Sequence, residues 1–123
     1  MDTRRFVVLR HEPGEAGPRE LHWDLMLEFG DSLRAWALHS EPQVGEEIAA
    51  DELPRHRSDY LDYEGPVSQG RGTVSRFDRG SFEVLQDSPE QLSVNLSGEL
   101  LRGRLQLTRD IPNQRWIVLL IPS

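Results

Sequence analysis

Leu21-His22-Trp23-Asp24-Leu25-Met26-Leu27-Glu28-Phe29 is the stretch that decides the fold. Its apolar residues fall at Leu21, Trp23, Leu25, Leu27 and Phe29, a strict period of two that marks a half-buried β-strand. His22, Asp24, Met26 and Glu28 then point to the opposite face. Residues two apart on a strand lie roughly 6.5–7 Å from one another along it. From that spacing an imidazole and a carboxylate can lean together onto one metal ion. One face of this strand serves the core, and the other is left for chemistry.

On the N-terminal side, residues 4–10 read as a first strand carrying Phe6-Val7-Val8-Leu9. His11 ends it, and Glu12-Pro13-Gly14-Glu15-Ala16-Gly17-Pro18 makes a turn-rich loop. On the other side, Gly30-Asp31-Ser32 joins the stretch to a third strand over residues 33–38, a β-hairpin. Alternation there sets Leu33, Ala35 and Ala37 on one face and Arg34, Trp36 and Leu38 on the other. Pro42 and Gly45 break the chain, and residues 46–53 fit either a strand or a helical turn. Residues 58–64 suit a short helix capped by Ser58 or Asp59 and stopped by Gly65-Pro66. Strand signals then recur at 73–77, 81–85, 92–96, 102–108 and 116–121, with Asp78-Arg79-Gly80 as a hairpin turn between the first two. Trp23, Trp36, Trp116 and Tyr63 read as core or wall aromatics.

Eight or so short strands with little helix imply an all-β sandwich or closed barrel. With no repeat, linker or low-complexity tract, residues 1–123 read as one domain. At 123 residues and 37% hydrophobic, the chain can bury a core without staples. It has no cysteine, which excludes disulfides and thiolate metal sites. Neither a secretory signal nor an apolar run of membrane-spanning length is visible, so a cytoplasmic protein with no membrane role is expected. The net charge of −7 argues against a module that holds DNA by bulk electrostatics, yet permits an enzyme that touches a few phosphates at a strand end. All 14 basic residues are arginine, a side chain matched to phosphate geometry, although genome composition accounts better for so uniform a choice.

If the first two strands are neighbours, His11, His22 and Asp24 converge as a His-x₁₀-His-x-Asp set. Two imidazoles and a carboxylate with open positions suit manganese, iron or zinc. The spacing by itself also fits ordinary structural histidines. His39 reads as a surface-loop residue, and Asp59, Asp62 and Glu64 as a solvated acidic face.

At these residues a family resemblance emerges. Leu9-Arg10-His11-Glu12, Leu21-His22-Trp23-Asp24-Leu25-Met26-Leu27-Glu28 and Leu33-Arg34-Ala35-Trp36-Ala37 resemble, in order, segments of the 3′-phosphoesterase domain of bacterial DNA ligase D. Arg55-His56-Arg57-Ser58-Asp59-Tyr60-Leu61-Asp62-Tyr63-Glu64-Gly65 is similar to that family's His-Pro-Leu-Asp-Tyr-x-Asp-Phe-Glu-Gly. Gly72-Thr73-Val74 with Phe77-Asp78-Arg79-Gly80 resembles its Gly-Thr-Val…Trp-Asp-Arg-Gly. Leu101-Arg102-Gly103-Arg104 through Arg109, then Trp116, resembles its closing strands.

The resemblance implies a single small β-barrel of about eight strands with one or two short helices, here as a stand-alone, divergent member. It implies that His11, His22 and Asp24 hold a divalent metal, manganese by preference with zinc or another transition metal as alternatives. His56 matches a histidine that contacts the scissile phosphate, and Tyr60 a tyrosine beside it. The family removes 3′-phosphates and 3′-terminal ribonucleosides from primer strands, a step of DNA repair by end joining. The implied substrates are nucleic-acid 3′ ends, with a separate DNA ligase or polymerase as partner and a monomeric state.

The sequence also departs from the pattern. Met26 stands where the family has a phosphate-gripping arginine, Leu9 in place of a glutamine, Ser40 in place of a lysine and Ile48 in place of another arginine. Arg55, Arg57 and Arg71 are the candidates to take over the phosphate. Two alternatives stay open: a catalytically inactive barrel that serves as a binding module in a repair complex, and a phosphoesterase for a small phosphorylated metabolite.

Overall fold

The alternation of residues 21–29 is realised as strand β2 (His22–Phe29), which lies between β1 (Arg4–Glu12) and β3 (Ser32–Leu38). The computed structural model describes residues 3–15 and 19–122. The remaining strands are β4 (Ile48–Arg57), β5 (Gly65–Pro66), β6 (Thr73–Asp87), β7 (Gln91–Gly98), β8 (Arg102–Asp110) and β9 (Arg115–Ile121). They pair in the order β1-β2-β3-β4-β9-β8-β7-β6, and β6 returns to β1, so eight strands close an antiparallel barrel. Closure leaves these strands no free edge. The ninth, β5, adds to the outside of β6. No helix among the described residues is long and apolar enough to cross a membrane.

The barrel is packed solid. Phe6, Val8, Leu25, Leu27, Trp36 and Leu38 point inward with residues of β6 to β9. Trp36 meets Trp116 edge-on, with ring centroids 5.7 Å apart. A gap beside Leu25 and Val118 has about 10 Å³ of free space, at the lower limit for one water. The barrel interior is therefore no ligand chamber.

A second apolar cluster forms outside the barrel. Val7, Leu9, Met26, Leu33 and Ala35, from the outer faces of β1, β2 and β3, pack with Leu61 and Val74. The chain after β4 crosses this face, and Tyr60, Tyr63 and Val67 settle on the cluster. An ion pair between Arg5 and Asp62, at 2.6 Å, fastens the crossing. The face of β2 opposite the core is thus half roofed, and only its His22–Asp24 end meets a cleft.

Several local expectations change. β4 is a strand throughout and continues to Arg57, beyond the ambiguous residues 46–53. The helix expected over 58–64 shrinks to a 3₁₀ turn, Ser58–Leu61, with Arg57 at its N-cap and no side-chain capping bond. Gly65-Pro66 then pairs with β6. Glu12 belongs to β1 opposite Thr73, so the loop expected from Glu12 begins at Pro13. Its Ala16, Gly17 and Pro18 lie outside the described residues.

The largest change concerns Asp78-Arg79-Gly80, which is no turn but the middle of β6, a strand of 15 residues. Asp78 is buried, and its carboxylate accepts backbone N–H bonds from Glu99, Leu100 and Leu101 at 2.9, 3.0 and 2.8 Å. It anchors the turn between β7 and β8. At Gly80 a Cβ would stand 2.1 Å from the Ser97 carbonyl oxygen, so a side chain is excluded where β6 passes from β1 to β7.

Three donors on one buried carboxylate make Asp78 a stability residue. Asp78→Ala is expected to lower unfolding free energy by about 3 kcal/mol, measured by urea denaturation. A loss under about 1 kcal/mol would contradict this role.

Candidate active site

Strand register builds the site. In the β1–β2 ladder His11 stands opposite His22, and Leu9 opposite Asp24. The two imidazole centroids are 4.5 Å apart. Asp24 bridges them: its Oδ2 is 2.8 Å from His11 Nδ1 and its Oδ1 is 2.9 Å from His22 Nε2. His22 and Asp24 are both buried, and His11 is half-buried.

Backbone carbonyls fix the protons on both rings. His11 Nε2 lies 2.8 Å from the Arg71 carbonyl oxygen, and His22 Nδ1 lies 2.9 Å from that of Glu20. A carbonyl only accepts, so each of these nitrogens donates its N–H. The contact with Arg71 depends on Gly72, which has φ +106° and where a Cβ would fall 1.9 Å from the Glu12 carbonyl oxygen. Only glycine lets this backbone press against the end of β1.

In their neutral forms both rings therefore turn a lone pair, His11 Nδ1 and His22 Nε2, toward the same carboxylate. Asp24 Oδ1 has no aligned hydrogen bond despite its nearness to His22. Three electron-rich groups converge where protons or a cation would relieve their mutual repulsion. One ligand atom from each of His11, His22 and Asp24 can be chosen so that all lie within 4.8 Å of one another. Imidazoles whose second N–H is anchored to a carbonyl are the usual metal-ligating arrangement. The donor set fits a divalent ion.

The electrostatics agree. The hydrogen bond to Asp24 raises the His11 pKa above its ordinary value, against the opposing effect of burial. Burial pushes the Asp24 carboxyl upward, but hydrogen bonding to His11 and the adjacent His22 outweigh it and leave the pKa lowered.

The triad opens into a cleft of about 460 Å³ that also holds His56, Tyr60, Arg55, Arg57 and Arg71. All the residues singled out from sequence therefore share one cleft. His56 donates from Nδ1 to the Pro54 carbonyl oxygen at 2.8 Å, which leaves Nε2 as its free ring nitrogen. Tyr60 packs edge-on against this ring with centroids 5.5 Å apart. Arg55 bonds the Phe29 carbonyl oxygen and Ser32 Oγ. Arg71 folds onto Ser68, bonding its carbonyl oxygen and Oγ. One cleft arginine was missed in the sequence: Arg19, which lines the same wall. Four of the 14 arginines thus face a cleft in which Asp24 is the carboxylate, a locally cationic site on a chain of net charge −7.

The departures from the family pattern now have positions. Leu9 and Met26 are fully buried in the outer apolar cluster, so neither side chain reaches the cleft. Ile48 faces the barrel core and cannot mark a lost phosphate contact in this cleft. Ser40 is exposed in the segment after β3.

Comparison with known proteins decides the family. The family model for the DNA ligase D 3′-phosphoesterase domain matches residues 15–109. The chain belongs to this family. The matched residues include His22, Asp24, His56 and Tyr60, and His11 lies just before them. The chain is also 34% identical over 115 residues to the multifunctional non-homologous end joining protein LigD of Pseudomonas aeruginosa. That match covers 85% of this chain and 13% of the relative.

The His11–Asp24 pair has a pH signature in metal-free protein. With its pKa raised in the fold from 6.5, His11 contributes stability that is complete below that value and disappears as pH climbs through the folded value. Asp24, lowered from 3.8, contributes above that value and loses its contribution as pH falls through the folded one. In chelator, the stability advantage of wild type over His11→Gln should be greatest near about pH 5.5 and shrink toward about pH 9, read from urea midpoints. An advantage constant across that range would show that the pair does not titrate as described.

Proposed function

We propose that this chain, acting as one domain, is a metal-dependent phosphoesterase that trims nucleic-acid 3′ ends. The observation that carries this reading is the pair of carbonyl-anchored imidazoles facing one buried carboxylate at the base of an arginine-rimmed cleft. His11 Nδ1, His22 Nε2 and the Asp24 carboxylate would hold the ion, manganese first. When bound, the ion polarises a phosphoryl oxygen and lowers the pKa of a coordinated water.

The chain's own groups do the rest. The rim arginines draw the phosphate in and hold it by charge-assisted bonds. His56, with Nδ1–H committed to Pro54, offers Nε2 to the reacting group. Protonated there, it donates to the oxygen that leaves as phosphate is released. Tyr60 keeps its ring from turning. The product is a 3′-hydroxyl that a ligase or polymerase can use, which places the chain in end-joining repair in the cytoplasm. Family membership and the likeness to LigD support the substrate class.

A second reading draws on Leu9 and Met26, which stand where the family has polar residues and are buried in the outer apolar cluster, so they offer a phosphate no donor. On that reading the barrel binds a repair partner without catalysis, or the cleft takes a small phosphorylated metabolite.

A 5′-labelled primer–template ending in a 3′-phosphate or one 3′-ribonucleotide separates these readings. Wild type with manganese should remove the end group. Asp24→Asn should lose metal binding and turnover while remaining folded, and His56→Ala should lose roughly a hundredfold in rate with metal affinity unchanged. A folded, manganese-loaded protein that leaves the primer intact would refute 3′-end processing. Turnover of a small phosphate ester by that same protein would identify the metabolite reading.

A further inference from the structure

We propose that Arg19 is a phosphate-binding residue of the cleft and that Asp51, braced by His39, positions it. The inference rests on reading the cleft as a phosphoesterase site. Arg19 stands on the wall shared by this cleft and the neighbouring groove along Arg109 and Arg115. Its Nη1 donates to Asp51 Oδ2 at 2.8 Å, and His39 Nε2 reaches the same oxygen at 2.9 Å. The His39 hydrogen bond, and after it that of Arg19, holds the Asp51 carboxyl below its usual range, so Asp51 meets the Arg19 guanidinium as a carboxylate.

The sheet sets the distance. Asp24 pairs with Ala37, and Ala37 pairs with Asp51. The two carboxylates therefore stand on one face, two strands apart, or roughly 9–10 Å. Between them lies only the methyl group of Ala37. Arg19 thus lines the same cleft as the metal-ligand set, where a phosphate held at Asp24 comes within its reach.

Arg19 is also held differently from Arg55 and Arg71. Arg55 bonds through Nη1 to the Phe29 carbonyl oxygen and Ser32 Oγ, and Arg71 through Nε and Nη2 to Ser68, whereas Arg19 is fixed by a carboxylate. Among the described residues the Arg19 guanidinium makes one hydrogen bond, from Nη1, which leaves its other donors for a ligand in the cleft that its side chain lines. A guanidinium already fixed by a carboxylate loses little freedom on binding an anion. It brings to the wall a cation that the buried Leu9 and Met26 do not supply.

Inorganic phosphate titrated by calorimetry, into metal-free and manganese-loaded protein, tests this without reference to nucleic acid. Arg19→Gln should weaken phosphate at least about tenfold, and Arg19→Lys by a smaller factor. Arg104→Gln, on the far side of the barrel, should change nothing. Asp51→Asn should raise KM for the 3′-phosphate primer several-fold with kcat unchanged, which a purely structural ion pair would not produce. Equal phosphate affinity in wild type and Arg19→Gln would overturn the proposal, as would wild type with no phosphate affinity. Arg19-dependent phosphate binding without primer cleavage would uphold Arg19 and refute the 3′-end reading instead.

Discussion

The antiparallel register of β1 against β2 is the constraint on which the site depends. It sets His11 opposite His22 and brings Asp24 within 2.9 Å of both rings. A slip of one residue would turn His22 and Asp24 into the barrel and their apolar neighbours out of it. The register is held by the inward residues Phe6, Val8, Leu25 and Leu27, which must reach the core together. Packing on one face thus positions the donor atoms on the other. The carbonyls of Glu20 and Arg71 add the final orientation by deciding which nitrogen of each ring carries its proton.

The outer face of the same strands is divided between two tasks. Toward Glu28 it is roofed by the segment after β4, and Met26 and Leu9 are buried beneath Leu61. Toward His22 it is open and polar. An arginine at position 26 would need charged partners under that roof, where the neighbours are Val7, Leu9, Leu33 and Ala35, and burying it there would be costly. Methionine converts a phosphate contact into packing. Any charge offered to a phosphate must then come from the cleft wall, from β4 and from the loops before β2 and β6.

Much of this was legible in the chain itself. Period-two alternation gave the faces of β2 and β3, and the order of short motifs gave the family and a barrel of about eight strands. The His-x₁₀-His-x-Asp set was legible because His22 and Asp24 share the polar face of an alternating strand and His11 ends the apolar strand before it. Asp78 was not: Asp-Arg-Gly has the local chemistry of a turn, while the N–H groups that claim its carboxylate come from residues 99–101, far along the chain. Arg19 was missed for a similar reason. It is an isolated loop arginine whose meaning lies in Asp51, a pairing made only when β4 lies beside β3. Alternation also tells which way a side chain points but not whether another segment will cover it, so the roof over Met26 could not be foreseen. The position of Ile48 shows the converse, since a loose motif match suggested a lost cleft residue where the fold places a core one.

The central claim is that His11, His22 and Asp24 form one metal site of fixed ring orientation. Anomalous diffraction from crystals equilibrated with manganese tests it most directly. The account predicts a single strong peak within bonding distance of His11 Nδ1, His22 Nε2 and the Asp24 carboxylate, with both ring N–H bonds to backbone carbonyls retained. A peak that engages other side chains, or full-occupancy manganese elsewhere with this triad bare, would contradict it.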